Sequence, residues 1–349
     1  MTSRLIYTSD VDATLNDIIG GGNYHHVMVL VDENTRRHVL PLVHCLDSAH
    51  VIEMPSGDCN KTLDTLSLVW QRMQQCNATR HSLLVNLGGG VVTDLGGLAA
   101  ATFKRGIDFV NVPTTILAAV DAAVGGKTGI NFQGLKNEIG VFAHAQSVLV
   151  STCFFGTLPI EQVKSGYAEM LKHGMLSGHD QLATLLNNDF SSINHPSLLK
   201  QLQESVEVKQ RIVDQDPTEH GIRKALNLGH TVGHAFESKA MAGGKPVPHG
   251  YAVAWGLVVE TVLSHMILGF PSADLYALAR FVRGNYGAFH ITCDDYDHLI
   301  SLMRHDKKSR NGEINCTLLA TCGDVRIDNT ISDSDLKAAL DIYRDLMGI

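Results

Sequence analysis

The sequence predicts an α/β N-terminal domain with a mainly parallel, Rossmann-like sheet, joined to a mostly α-helical C-terminal domain, with an active site in the cleft between them. Three observations carry this. Short, continuous apolar runs recur through the first part of the chain, as in strands covered on both faces, and each ends in a polar or glycine turn. Near Thr157 the texture changes to long helical periodicity, dividing the chain into 1–156 and 157–349. The 349 residues are 44% hydrophobic and 18% charged, enough to pack two cores.

The strands are HVMVLVD (26–32), SLLVNL (82–87), IDFVNV (107–112) and SVLVS (147–151). The turns that close the first three are DEN (32–34), GGG (88–90) and PTT (113–115). Open α/β sheets bind ligands at strand carboxyl ends, so these turns are the places to look. NLGGGVVTDLGG (86–97) follows a strand and opens a helix; its glycines let backbone N–H groups approach a diphosphate at a helix N-terminus. It is not the GxGxxG fingerprint, and an ordinary strand–helix turn would read the same way. Asp32 at a strand end offers a carboxylate to a ribose or adenine, and Thr114 and Thr115 offer hydroxyls. The three turns together point to a nucleotide.

In the second half the helical patterns run over 158–177, 196–214, 230–241, 250–268, 273–285 and 333–347, and INCTLLAT (314–321) reads as a strand or hairpin arm. NLGHTVGHAFE (227–237) puts His230 and His234 at i and i+4, on one helix face. His249 precedes the apolar helix AVAWGLVVE (252–260), where the helix dipole favours the neutral imidazole that a ligand must be. Glu169, in GYAEMLKHG (166–174), can add a carboxylate, and such a set suits catalytic zinc. Thr231 stands where a metalloprotease HExxH motif has its glutamate. Lys172 shares a face with Glu169, and Lys209 falls inside an apolar stripe, where an ammonium needs a partner or a path to solvent. Lys127, Lys136, Asn137, Arg105, Arg223, Asn227, Lys307 and Lys308 sit in glycine-rich or charged turns and together suggest a polyanionic substrate.

A net charge of −8 argues against a nucleic-acid partner. The opening MTSRLIYTSDVDATL lacks a secretory apolar stretch, and Asp121 and Glu260 interrupt the two most apolar runs, so neither reads as a membrane span. Seven cysteines, an odd number without a CxxC pair, fit reduced thiols in the cytoplasm.

In chain order, DEN, GGGVVTDLGG, KRG, VPTT, VDAAVGGKTGIN, GLKNEIG, TLP, GYAEMLKHG, LNLGHTVGHAFE, HG (249–250) and DKK (306–308) resemble the 3-dehydroquinate synthase family of sugar-phosphate cyclases. The resemblance implies a lyase of the shikimate pathway, toward chorismate and the aromatic amino acids. It would turn 3-deoxy-D-arabino-heptulosonate 7-phosphate into 3-dehydroquinate and phosphate by transient NAD oxidation, β-elimination, re-reduction and aldol closure. It implies a divalent metal, zinc or cobalt, on Glu169, His230 and His249, with His234 facing the substrate rather than the ion. NAD would meet Asp32, Asn34, Asp58, Lys61, Gly89, Gly90, Val91, Asp94, Thr114, Thr115, Leu117, Lys127, Lys136, Thr157 and Leu158. The substrate would meet Lys127, Asn137, Lys172, Lys209, Arg223, Asn227, Asp121 and Lys307 or Lys308. Arg105 would reach the partner subunit's site in a homodimer.

The chain departs from the family pattern at Asp58, Gln162 and Tyr251. Two other readings share the architecture: a cyclase acting on another sugar phosphate, and a metal-dependent polyol or glycerol-phosphate dehydrogenase. The second needs metal and NAD but not so many cations.

Overall fold

The computed structural model describes residues 3–133, 135–190, 195–304 and 313–349. They fall into two compact units, Met1–Pro159 with Ile193–Val206, and Ile160–Ser192 with Glu207–Ile349. In chain order the first contains β1 (Arg4–Tyr7), α1 (Val11–Gly21), β2 (His26–Asp32), α2 (Glu33–His38), β3 (His50–Met54), α3 (Leu63–Gln75), β4 (Ser82–Gly88), α4 (Gly90–Thr102), β5 (Asp108–Pro113), β6 (Lys127–Phe132), β7 (Leu135–Phe142) and β8 (Ser147–Val150).

Six of these strands form one parallel sheet in the order β1-β8-β5-β4-β2-β3. The four strands expected from sequence occupy its middle. β4 is buried along its whole length and β2 from Met28 to Val31, which is why their sequences are unbroken apolar runs. The edge strands β1 and β3 escaped the pattern because they are short or partly exposed; His50, Val51 and Glu53 of β3 face solvent. β5, β4 and β2 are neighbours and run the same way, so Asp32, Gly88–Gly90 and Pro113–Thr115 stand along one sheet edge. α4 packs closely on that sheet because Gly96 has no side chain: Asn86 and Leu30 fill the space a Cβ would need. β6 and β7 form a separate antiparallel hairpin.

α5 (Ile160–Ser177) and α6 (His179–Leu186) open the second unit, and α7 (His195–Gln215) begins in the first and ends in the second. α8 (His230–Ala242), α9 (His249–Leu268), α10 (Ser272–Tyr286), α11 (Tyr296–Arg304), the antiparallel hairpin β9 (Ile314–Thr321) and β10 (Asp324–Ile331), and α12 (Asp333–Met347) follow. α5, α8, α10, α12 and β9 all pack on α9. α9 is long and apolar enough to cross a membrane by length and composition, yet every residue from Ala252 to Ser264 is buried, as in a core helix. Glu260 in its middle has a structural task. Its carboxylate accepts from the N–H groups of Gly229 at 2.6 Å and Val232 at 3.0 Å, capping the start of α8.

Candidate active site

Three helices of the second unit bring together Glu169, His230 and His249. Glu169 lies mid-way along α5, and the two histidines are the first residues of α8 and α9. Gly229 turns the chain into α8 at φ +79°, a left-handed conformation that favours glycine. Gly250 passes against α5, where its N–H donates to Ser165 Oγ at 3.1 Å. His230 Nε2 then stands 3.3 Å, and His249 Nε2 3.4 Å, from the same oxygen of Glu169, Oε1. The other nitrogen of each ring is engaged elsewhere: His230 Nδ1 with the Leu228 carbonyl at 3.1 Å, and His249 Nδ1 with Glu237 Oε2 at 3.4 Å. That leaves both Nε2 atoms for the shared point.

Glu169 is fully buried, and Lys172 Nζ lies 2.6 Å from its other oxygen, Oε2. These are ion pairs: neither oxygen of Glu169 has a hydrogen bond of good geometry, a deficit that a coordinated cation removes. Burial alone would raise the Glu169 pKa. Lys172 first, then His230 and His249, outweigh it and hold the carboxyl well below the usual range. Burial would likewise lower the pKa of His249, but Glu169 and Glu237 raise it to about 10. With no ion bound, two full carboxylate charges exceed the partial charge of one helix end; the neutral imidazole expected from sequence is the form a ligand takes once a metal displaces the proton. One carboxylate and two imidazoles of fixed orientation fit a divalent ion, which would take the place of that proton.

His234 sits one turn beyond His230, with ring centroids 5.3 Å apart and 5.9 Å from His249. Ligand atoms of all three histidines lie within 4.8 Å of one another. Both the spacing-based pair and the Glu169 set are thus gathered in one place. Lys172, Lys209 and Arg223 are buried. Arg223 Nη1 donates to the Pro217 carbonyl at 2.5 Å, and its N–H to Asp216 Oδ2 at 3.1 Å. Asn227 Nδ2 donates to Glu219 Oε1 at 3.3 Å. Lys307 and Lys308 lie outside the described residues.

In the first unit, Lys61 is buried, and its Nζ meets Asp94 Oδ2 and Asn137 Oδ1, each at 2.5 Å. Lys136 Nζ lies 3.4 Å from Asp58 Oδ2. Asp32 caps α2, accepting from Thr35 N–H at 2.7 Å, and Asn34 is exposed beside it. Gly89 precedes α4 with no side chain capping its N–H groups, and Gly90 and Val91 form the first turn. Thr114 is buried, while Thr115 Oγ1 accepts from Ala118 N–H at 3.1 Å, one residue past Leu117. Asp121 lies in the helical turn Ala118–Ala122, and Lys127 begins β6 with its side chain exposed. Thr157 ends the short helical turn Phe155–Thr157, and Leu158 follows it. Arg105 is exposed, between Lys104 at φ +50° and Gly106 at φ +111°, and is itself at φ +70°.

Models of 3-dehydroquinate synthase match the chain over residues 51–165 (N-terminal) and 166–309 (C-terminal). A 3-dehydroquinate synthase of Parabacteroides distasonis is 45% identical over 349 residues, covering 99% of each chain. The chain belongs to the 3-dehydroquinate synthase family. Members of that family are enzymes, and the same fold recurs in more distant cyclases. A 2-deoxy-scyllo-inosose synthase matches with a TM-score of 0.83 at 21% identity, covering 96% of this chain and 95% of its own. The 2-epi-5-epi-valiolone synthase of Streptomyces hygroscopicus matches with 0.83 at 22%, covering 99% and 97%.

Two acids escaped the sequence reading, one of them inside a 3-dehydroquinate synthase motif. Glu237 closes the segment NLGHTVGHAFE, seven residues after His230 and so on the same helix face; that spacing was its available signal. Glu219 is held at φ +64° and meets Asn227, but it lies in a loop whose sequence carries no period to reveal it.

Proposed function

We propose that the chain converts 3-deoxy-D-arabino-heptulosonate 7-phosphate into 3-dehydroquinate and phosphate, using NAD catalytically and one divalent metal ion. The observation that carries this reading is the convergence of His230 Nε2 and His249 Nε2 on Glu169 Oε1. Cyclases of this fold hold NAD+ with Co2+ or Zn2+, which supports the same pair of cofactors here. In this proposal residues 1–156 bind NAD through Asp32, Asn34, Gly89–Val91, Asp94, Thr114, Thr115 and their neighbours. Residues 157–349 bind the metal, through Glu169, His230 and His249, and the sugar phosphate.

The metal and NAD, when bound, supply Lewis acidity at the alcohol to be oxidised and a reversible hydride sink. The chain's own residues orient the substrate and balance its charge. Lys172, Lys209 and Arg223 hold anionic groups, and their buried positions make each charge interaction stronger than it would be in water. As phosphate leaves, these cations stabilise the charge that develops on it. His234 accepts or returns a proton beside the two ligand histidines. Lys127, Asn137, Asn227, Asp121 and one lysine of the DKK run complete the substrate set. The protein works in the cytoplasm as a homodimer, and the exposed Arg105 serves the partner subunit's site.

The decisive experiment supplies the heptulosonate phosphate with substoichiometric NAD and zinc, follows phosphate release, and identifies the carbocycle by mass and NMR. A cyclase releases many phosphates per NAD with no NADH accumulating. Stoichiometric NADH, or no turnover with the metal site loaded, would overturn the reading.

A further inference from the structure

Asn131 uses both its backbone N–H and its side-chain amide to join two segments. The β6–β7 register slips between Ile130 and Phe132, freeing the intervening residue from the ladder. Its N–H donates instead to the Lys61 carbonyl at 2.8 Å. Its Nδ2 donates to the Asp58 carbonyl at 3.0 Å and to Asp58 Oδ2 at 3.3 Å. Its Oδ1 accepts from the N–H of Asn137 at 2.9 Å, and Asn137 is held at φ +51°. Asn137 Oδ1 in turn lies 2.5 Å from Lys61 Nζ, which also meets Asp94. One amide thus ties the 58–61 loop to the 135–142 strand and fixes where a lysine, an asparagine and a carboxylate converge.

We propose that Asn131 is a positioning residue for dinucleotide binding: it holds Asp58, Lys61 and Asn137 in one preorganised cradle without itself touching the nucleotide. The inference rests on the reading that the first unit binds NAD. Asn131→Ala removes the side-chain ties and frees the left-handed Asn137, so Lys61 keeps Asp94 but loses the fixed position of Asn137 Oδ1. Losing two or three aligned hydrogen bonds, one of them to a carboxylate, corresponds to about a tenfold loss of NAD affinity. Asn131→Asp keeps the acceptor for Asn137 but faces the Asp58 carboxylate; adding Asp58→Asn restores a donor–acceptor pair.

The test titrates NAD into zinc-loaded protein by calorimetry and measures KM for NAD. The expected result is an NAD Kd and KM about tenfold higher in Asn131→Ala, with zinc content near wild type. Asn131→Asp should be similarly weakened and partly rescued by Asp58→Asn. Wild-type NAD affinity in both Asn131 variants overturns the positioning role. Absence of NAD binding by wild type overturns the nucleotide reading beneath it.

Discussion

His249 Nδ1 stands 3.4 Å from Glu237 Oε2, so the first residue of α9 is oriented by an acid on α8, the helix that begins with His230. A carboxylate behind a ligand imidazole fixes the ring and raises its donor strength. Glu237→Ala should therefore weaken zinc binding about tenfold or more, and Glu237→Gln, which keeps an acceptor oxygen, by less. Competition with a chromophoric chelator measures both. Wild-type zinc affinity in the alanine variant would rule the orientation out.

The same contacts set a pH dependence. The His249 imidazole is raised to about 10 in the metal-free protein, from an ordinary value of 6.5. A raised base contributes stability that is complete below the unfolded value and is lost as pH climbs through the folded one. The metal-free protein should lose thermal stability from pH 6.5 toward 10, relative to a His249→Gln variant. Metal binding must expel that proton, so zinc affinity should fall about tenfold per pH unit on going from pH 9 to 7. A flat affinity over that range would mean the proton is not there.

Lys127 is the cleanest test of the substrate cations, because it is exposed at the start of β6. Lys127→Ala should leave stability within about 0.5 kcal/mol of wild type. It should cost at least about a hundredfold in turnover if the ammonium meets charge that moves in the reaction. Arg223→Ala is expected to lose activity and stability together, since Arg223 is buried against Pro217 and Asp216. Full turnover of Lys127→Ala at saturating substrate would remove it from the site.

The central strands and the long helices were legible because burial on both faces, or on one stripe, writes itself into composition. β2 and β4 are such strands, and α9 is such a helix. The hairpin β6–β7 was not legible. Every residue of β7 is exposed, so no alternation marks it as a strand. Its turn sequences pointed to chemistry, through Lys136 and Asn137, without disclosing the element that carries them. In the metal cluster, spacing alone placed His230 and His234 on one face but could not choose between His234 and Glu169, because Glu169 comes from α5, about 60 residues earlier. Glu237, which meets His249 Nδ1, was not recognised as its neighbour.

Arg105 poses the last question, whether its exposed side chain serves its own subunit or another. Three successive left-handed residues, Lys104 to Gly106, hold the turn that presents it, an expensive backbone for a residue without a task. If it completes the partner's site, Arg105→Ala and His234→Ala homodimers will each be inactive, yet mixing and reassociating them must regenerate activity. In a hybrid, the subunit with intact His234 has lost only its own Arg105, and its partner supplies the missing guanidinium. Random reassociation makes half the dimers hybrids with one intact site of two, so roughly a quarter of wild-type activity should return. If Arg105 acts within its own subunit, both sites of every hybrid stay defective, and the mixture remains as inactive as its parents.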